Sequence, residues 1–358
     1  MYSKVNLVAI LIAATAFAFT ACEESGQQAM GPDDLIIVVA DSTEYAGLEP
    51  LLRNTFAPPF HTPQPENWFN LKRIDITELP NYKRNKNIVF IAPLEGGSTV
   101  GEFLNSALDS TVKTLVRNRE EYVFAKKNQW FEDQTVLYLT GNSMEEIETK
   151  LVTEQQDLFY FFKNAWDQRE KMRMMRLPRE DDLEEYLAEN HGFSFSIIKS
   201  WFLAKDSVEI SSVLLRRQAP EETERWLLIH WIDSKNTDLL TPDFLLDRRN
   251  KLTNILYRTV DDKAYVRVDT AHYLQWDEVN FNGRFAWRMQ GLWQMSDYSM
   301  GGPFVSYLFY DEDHERIYLL DGSVFAPKYK KKKLIQDIDI MMHTFRTLEL
   351  PSDTTTAS

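Results

Sequence analysis

The chain has 358 residues, of which 44% are apolar and 13% aromatic, and its formal net charge is −14. This much apolar material excludes a disordered protein, and the length exceeds what one ordinary domain needs. The negative charge repels phosphate backbones and anionic lipids, which excludes nucleic acid and an anionic membrane surface as general partners.

Residues 1–21 are predicted to be a lipoprotein signal peptide. Lys4 is the only charged residue before Cys22, and an apolar run extends from Val5 to Phe19. That run is shorter than the roughly 20 residues of a membrane-spanning helix. Cys22 follows small residues at the expected cleavage point, so the segment resembles a bacterial lipoprotein signal in which the thiol receives a diacylglyceride. The alternative is an ordinary secretory signal in which Cys22 has no role.

Cys22 is the only cysteine of the chain. With its thiol lipidated, no thiol remains for a disulfide, a metal site or a covalent intermediate, so the fold depends on its core alone. Burial of acyl chains holds such a protein at a membrane. We therefore predict an outer-membrane lipoprotein of the cell envelope, with residues 22–30 as a flexible tether. The alternatives of a periplasmic and a cell-surface orientation stay open.

Residues 31–141 are predicted to form an N-terminal α+β half. Short runs rich in β-branched residues indicate strands, and amphipathic stretches between them indicate helices. Strands are predicted at 35–40, 69–77, 87–92, 122–125 and 135–140, and helices at about 42–56 and 99–119. The first six elements follow the order of a ferredoxin-like sheet.

Residues 142–192 are predicted to be a helical connector between two halves. Ser143 and Glu146 form a capping box at the start of a long helix, and Pro178 ends it. One face of this helix should be buried, because apolar residues recur at helical spacing. They are Met144, Ile147, Leu151, Leu158, Phe162 and Trp166. A shorter acidic helix follows and is closed by Gly192.

Residues 193–350 are predicted to form a C-terminal α+β half, and residues 351–358 a disordered tail. Its strands are predicted at 193–204, 208–217, 225–232, 265–269, 273–279 and within 281–327, and its helices at 242–257 and about 331–348. We therefore expect an α+β protein with two mixed or antiparallel sheets and helices packed on them. The similar element order suggests a duplicated ferredoxin-like arrangement joined by a long helix.

Strict alternation marks the stretch from Phe281 to Met295. Large apolar residues and glycines occupy the odd positions, and polar residues occupy most even positions. A period of two places the two sets on opposite faces of a strand. The even set includes Arg284, Arg288 and Gln290. The Gly301-Gly302-Pro303 sequence that follows predicts a turn with unusual backbone angles.

The motifs of this region are Gly291-Leu292-Trp293, Met300 to Val305, and Asp321-Gly322 with Val324 to Pro327. Through them the chain resembles an uncharacterised lipoprotein family of the Bacteroidota, domain of unknown function 4837. The resemblance extends over residues 31–348. It implies a lipoprotein and supplies no activity. Gln290 stands where the family pattern has an arginine, so the resemblance assigns no cation to that position.

Two features of this region are candidate ligand sites. The face that carries Arg284, Arg288 and Gln290 has donors suited to an anionic or a sugar ligand. The alternative is a solvated sheet face. Gly301 and Gly302 can present backbone N–H groups to an anion, and the alternative is a purely structural turn.

Two charged runs are further candidate binding sites. The acidic run from Asp311 to Glu315 could bind a hard cation, but it lacks the spacing of a calcium loop, so a charged hairpin tip is the better interpretation. The basic run from Lys330 to Lys333 could contact lipid headgroups or phosphosugars. Its alternative is a solvated helix start.

No pattern in the sequence predicts a catalytic residue, a metal or a cofactor. The six histidines are scattered, and neither His-Glu-x-x-His nor Gly-x-Ser-x-Gly occurs. We therefore predict a non-catalytic binding or scaffold module for a glycan, lipid or protein partner of the envelope. The alternative is a hydrolase or transferase on envelope polymers, with carboxylates that converge only in the fold.

Overall fold

A computed structural model describes residues 26–348 of the chain. The predicted signal peptide, Cys22 and the predicted tail lie outside the described residues. Within residues 26–348, every helix is too short or too polar to serve as a membrane span.

The chain divides into two compact units. The first comprises Met1–Pro58 and Trp68–Trp166, and the second comprises Pro59–Asn67 and Asp167–Ser358. The second unit therefore includes a short segment from the N-terminal half of the sequence as well as the whole C-terminal half.

In the described part of the chain, seven strands precede the long helical region. They are β1 (Leu35–Val39), β2 (Pro59–Phe60), β3 (Glu66–Asn67), β4 (Asn70–Ile74), β5 (Asn87–Ile91), β6 (Val123–Lys127) and β7 (Thr135–Leu139). Ten strands follow it. They are β8 (Phe193–Ser194), β9 (Trp201–Ser207), β10 (Ser212–Arg217), β11 (Glu224–Asp233), β12 (Val266–Val268), β13 (Leu274–Phe281), β14 (Arg284–Met295), β15 (Gly301–Asp311), β16 (Arg316–Phe325) and β17 (Arg346–Thr347).

The described α-helices are α1 (Ser42–Phe56), α2 (Leu79–Tyr82), α3 (Thr99–Ala107), α4 (Ser110–Arg117), α5 (Met144–Thr153), α6 (Gln155–Met175), α7 (Asp181–His191), α8 (Pro242–Leu256) and α9 (Lys332–Met342). The single long helix predicted after Asn142 is thus two helices, α5 and α6. Half of the predicted capping box is present. The Ser143 hydroxyl accepts from the backbone N–H of Glu146, but the Glu146 carboxylate accepts from the backbone N–H of Asn142 instead of Ser143. The boundary between the two units falls inside α6.

The first unit is a three-layer α/β structure. Its sheet has the order β4-β1-β5-β7-β6, and only β6 runs antiparallel to its neighbour. Ile36 and Val38 on β1 face a core shared with α1, α5 and α6. Ile37 and Val39 face a second core shared with α3 and α4. Burial on both faces explains why the strand residues form continuous apolar runs.

The expected ferredoxin-like duplication does not agree with these topologies. β4 and β5 are not hairpin partners; β1 lies between them and is parallel to both. A 3-10 turn at Ile76–Glu78 and the four-residue α2 carry the chain across the sheet. Because such a short helical turn has no periodicity to detect, the sequence indicated consecutive strands. The sheet of the second unit is antiparallel throughout, so the two units are not copies of one arrangement.

The second unit is built on an eight-stranded antiparallel sheet. Its order is β12-β14-β15-β16-β11-β10-β9, and β13 pairs with β14 beside β12. One face packs against α9, with Ile338 and Tyr307 in the shared core. The other face packs against α8, with Leu252 and Leu308 in the shared core. We call these the α9 face and the α8 face. Strand β8 pairs with β17 in a separate two-stranded sheet.

Close packing, rather than a turn, explains the glycines of the predicted Gly-Gly-Pro turn. Gly301 and Gly302 are the first residues of β15, and their φ angles are not in the left-handed region. A Cβ on Gly302 would lie 1.9 Å from the carbonyl oxygen of Val324. Strand β16 likewise runs through the glycine of the Asp321-Gly322 motif. There a Cβ would lie 2.5 Å from Ile338 Cγ2 on α9.

Candidate functional site

Three polar side chains form a line across neighbouring strands of the α9 face. Asp277 on β13 lies directly opposite Arg288 on β14, and Arg288 lies directly opposite Tyr307 on β15. Strand alternation places all three on the side of Ala286, which packs in the α9-face core. Asp339 lies on α9, the helix that packs on this face, and its carboxylate contacts Tyr307. We call Asp277, Arg288, Tyr307 and Asp339 the polar row.

Hydrogen bonds hold the polar row together. The Arg288 guanidinium donates to Asp277 Oδ2, at 2.8 Å from Nη2 and 3.2 Å from Nε. The Tyr307 hydroxyl donates to Asp339 Oδ1 at 2.7 Å. Gln275 adds a bond from its Nε2 to Asp277 Oδ1 at 2.9 Å. These contacts fix the orientation of each member.

Burial and charge set the ionisation of the row. Burial raises the pKa of Tyr307 well above its ordinary value, and the Asp339 carboxylate adds to this shift, so the phenol stays a neutral donor. Burial alone would lower the pKa of Arg288, but Tyr307, Asp277 and Asp339 outweigh it and raise that pKa. One guanidinium thus faces two carboxylates. This balance disfavours an anionic ligand and is compatible with a neutral one.

Polar and aromatic side chains border the row. Gln290 lies opposite Gln275, two positions along from Arg288 and Asp277 and therefore on the same face. Within the described chain, the Gln290 side chain makes no hydrogen bond and is only half-buried. Tyr273 stacks on the exposed His61 with ring centroids 3.8 Å apart. We call Tyr273, Gln275, Gln290 and His61 the rim. It offers one free amide, that of Gln290, beside an aromatic pair, because the Gln275 amide already bonds Tyr273 and Asp277.

Arg284, predicted in the same site, has a different role. Its Nη2 lies 3.3 Å from Asp311 Oδ1 and 3.3 Å from the Thr347 hydroxyl. Burial raises the pKa of Asp311, but Thr347, Arg284 and His314 outweigh it, and the pKa is lowered. The predicted acidic run is therefore a hairpin tip whose buried carboxylate is already paired. No group of three or more metal-ligating side chains occurs among residues 26–348.

The other residues predicted for this site also lie away from Arg288. Gly301 and Gly302 pair with Gln294 and Trp293 of β14, whereas the partner of Arg288 on β15 is Tyr307. The expected core residue Phe285 is 51% exposed, because the alternation of burial is regular only from Met289 to Met295. Of the predicted ligand residues, Arg288 and Gln290 alone come together in the fold.

The basic run at the start of α9 is partly buried and paired. The side chains of Lys331 and Lys332 are buried, and their backbone N–H groups donate to Glu66 Oε1 at 2.7 and 3.2 Å. Lys333 donates to Glu170 and to Asp337 at 2.7 Å. A carboxylate at a helix N-terminus offsets the unfavourable lysines there. Neither sequence interpretation therefore holds for Lys331 and Lys332, whereas Lys330 is exposed.

Sequence reasoning missed Asp277, Tyr307 and Asp339. A signal was present for one of them, since Asp339 interrupts the apolar pattern Ile338 to Met342 on α9. A carboxylate on the buried side of a helix needs a partner. Its partner, Tyr307, is 32 residues away and could be found only from the packing of α9 on the sheet.

Family comparisons cover almost the whole described chain in two parts. Residues 180–344 match the family model "Domain of unknown function (DUF4837)". The predicted resemblance to this family is therefore confirmed, over a shorter range than the predicted 31–348. Residues 29–175 match a separate model, "Domain of unknown function (DUF8532)". None of the curated proteins matches the chain.

Several solved structures resemble part of the chain. The Ran-binding protein Mog1p of Saccharomyces cerevisiae has 9% identity and a TM-score of 0.30, over 44% of this chain and 91% of that one. LpqN of Mycobacterium tuberculosis, described as involved in cell envelope biogenesis, has 10% identity and a TM-score of 0.28, over 49% and 99%. A protein of Bacteroides thetaiotaomicron has 9% identity and a TM-score of 0.25, over 44% and 46%. Such low TM-scores carry no argument about function.

Proposed function

We propose that this chain, whose residues 180–344 match DUF4837, is a lipid-anchored, non-catalytic binding module of the cell envelope. Its site is the polar row with its rim, and its ligand is a neutral, hydroxyl-rich glycan. The observation that carries this proposal is the direct opposition of the partly exposed Asp277 and Arg288, with buried Tyr307 behind them and unpaired Gln290 beside them.

The chemistry of the row favours hydroxyl groups as ligands. A hydroxyl both donates and accepts, so it can bond carboxylates and a guanidinium at once. Asp277 and Asp339 are only partly buried and keep acceptor capacity beyond the bonds described. An anionic glycan would face two carboxylates against one guanidinium. A lipid tail would find charged and amide groups where it needs apolar surface.

Binding to defined oligosaccharides tests the site. Calorimetry on the full chain would compare neutral cello-, malto- and chito-oligosaccharides with an oligogalacturonate. We expect a neutral sugar to bind and Gln290→Ala to weaken it about tenfold, the effect of one lost hydrogen bond to a buried polar group. Gln294→Ala is the matched control on the same strand. Absence of any sugar binding, or an equal loss in Gln294→Ala, would overturn the proposal.

The same experiment addresses the alternative of a hydrolase or transferase. Asp277 and Asp339 are two carboxylates beside one guanidinium, which is the specific feature that such an enzyme would use. Chromatography of the sugars recovered after binding would detect chain cleavage or transfer. Intact sugar supports a binding module, and shortened or lengthened sugar that disappears in Asp277→Asn supports the enzyme instead.

The membrane anchor is part of the proposal and rests on Cys22 and the apolar run before it. A lipidated thiol would hold the protein at the outer membrane, where envelope glycans are within reach of a tether at residues 22–30. Cys22→Ser should shift the protein from the membrane fraction to the soluble envelope fraction. Retention of the variant in the membrane fraction would contradict the anchor.

A further inference from the structure

Two arginines lie directly opposite each other at the end of the β10–β11 hairpin. Arg217 on β10 pairs in register with Arg225 on β11. Their neighbours Leu215 and Leu227 pack in the α9-face core, so both arginines project from the same face. Like charges in directly opposed positions destabilise a sheet, and the pair therefore calls for a compensating group.

The described residues do not fully satisfy this pair. Arg225 is only 3% exposed, and its Nε has no hydrogen-bond partner there. One of its terminal nitrogens donates to the Ala219 carbonyl, and another lies 4.0 Å from Asp337 Oδ2. The buried Nε of Arg217 is likewise without a partner within residues 26–348. Unpaired buried guanidinium nitrogens are costly unless something else binds them.

Burial lowers the pKa values of both arginines, and mutual repulsion adds to the shift at Arg225. Burial lowers the pKa of Arg225 to about 10, and the neighbouring charge of Arg217 adds to the shift. Burial also lowers the pKa of Arg217, against the attraction of Asp337. Both groups nevertheless remain cationic near neutral pH.

The side chains around the pair leave an excess of positive charge. Arg173 and Lys333 bring two more cations, and Glu170 and Asp337 bring two carboxylates. With Arg217 and Arg225, four cations face two anions. This local excess of two positive charges contrasts with the net charge of −14 of the whole chain.

We propose that Arg217 and Arg225 form a binding site for a phosphate group. The site lies at the end of the β10–β11 hairpin and is separate from the polar row. Guanidinium groups bind phosphate oxygens through paired N–H donors. A phosphate monoester carries a charge of about −1.5 to −2 at neutral pH, which matches the local excess. Arg217 is half-buried and is the more exposed of the two, whereas Arg225 is 3% exposed.

Two probes distinguish the source of the phosphate. Inorganic phosphate represents the free ion, and glycerol 3-phosphate represents a lipid headgroup. Calorimetry and thermal unfolding of the full chain, at constant ionic strength, would measure each. We expect at least one of them to bind and to raise the unfolding midpoint. Tighter binding of inorganic phosphate indicates the free ion, and tighter binding of glycerol 3-phosphate indicates the headgroup.

Two variants and one control complete the test. Arg225→Met and Arg217→Gln should each weaken phosphate binding at least tenfold. Without phosphate, each variant should unfold at the same or a higher temperature than the parent, because a repulsive charge is removed. Arg216→Met, adjacent on β10 but on the α8 face and paired with Glu224, should bind phosphate normally. Absence of binding by both probes, or equal binding by Arg217→Gln and the parent, would overturn the site. Neither result bears on sugar binding by the polar row.

Discussion

Arg249 of α8 and Asp321 of β16 form an ion pair in which both side chains are fully buried. The distance from Arg249 Nε to Asp321 Oδ1 is 2.6 Å. Ser306 and Ser323 also bond the pair, and the guanidinium lies 3.8 Å from the centre of the Phe304 ring. Every oxygen of Asp321 is therefore engaged, which ties α8 to the centre of the sheet.

We expect Arg249→Met to destabilise the protein by about 3–5 kcal/mol, because it leaves a buried carboxylate without its cation. The double variant Arg249→Met with Asp321→Leu should lose less than the single one. Urea unfolding measures both. Lys251→Met, which breaks an exposed pair with Asp247 on the same helix, is the control and should cost less than about 1 kcal/mol. A single-variant loss as small as that of the control would contradict a structural role for the pair.

Glu66 is expected to stabilise α9 from a distant part of the sequence. Its carboxylate accepts the N–H groups of Lys331 and Lys332 at the helix start. Glu66→Ala should cost about 1–2 kcal/mol, and Glu66→Gln less, since it keeps an acceptor. Urea unfolding would be compared with Glu185→Ala, an exposed glutamate on α7. If both alanine variants unfold at the same urea concentration, the cap is not important.

Two glycines should respond to alanine in opposite directions. Gly302→Ala places a Cβ 1.9 Å from a backbone oxygen, and we expect a loss of at least about 3 kcal/mol. Gly47 lies within α1, where a Cβ meets nothing within 4 Å. Gly47→Ala should therefore stabilise the chain by about 0.5–1 kcal/mol, because it restricts the unfolded state. Thermal unfolding checks both, and equal effects would contradict the packing described at Gly302.

His230 is expected to make stability depend on pH below neutrality. Burial and then the charge of Arg248 lower its pKa to about 4, against an ordinary value of 6.5. The unfolded chain therefore binds a proton that the folded chain rejects, and stability falls as the pH falls from about 6.5 to 4. The full loss is roughly 3 kcal/mol.

His230→Asn tests this dependence. It keeps a donor where Nδ1 lies 2.9 Å from the Ser211 carbonyl, but it cannot take up the proton. Urea unfolding at pH 7 and pH 4.5 should show a smaller pH effect in this variant than in the parent. His272→Asn removes an exposed histidine and serves as the control. An unchanged pH effect in His230→Asn would show that other groups are responsible.

Much of the local structure was predictable. The Ser143 cap, the α8 helix after Thr241 and the buried positions from Met289 to Met295 all follow from nearest-neighbour patterns. The reason is that capping, helical periodicity and strand alternation depend on residues within one or two turns. The sequence also predicted the α+β fold class correctly.

Strand partners were not predictable in this way. The element order suggested a ferredoxin-like sheet, whereas the fold places β1 between β4 and β5 and parallel to both. The sequence assigned a turn to Gly301 and Gly302, whereas the fold requires glycine at 302 because another strand approaches. Neither outcome depends on adjacent residues.

The sequence by itself thus determined the α+β class, the burial pattern of single elements and the predicted role of Cys22. Only the tertiary structure decided which charges meet. It set Arg288 between Asp277 and Tyr307, and it set Arg217 opposite Arg225. Strand register and helix packing determine which charged side chains are neighbours. A shift of one residue in the register would place each side chain on the other face of the sheet. Local sequence patterns do not specify that register, because they depend only on residues that are close together in the chain.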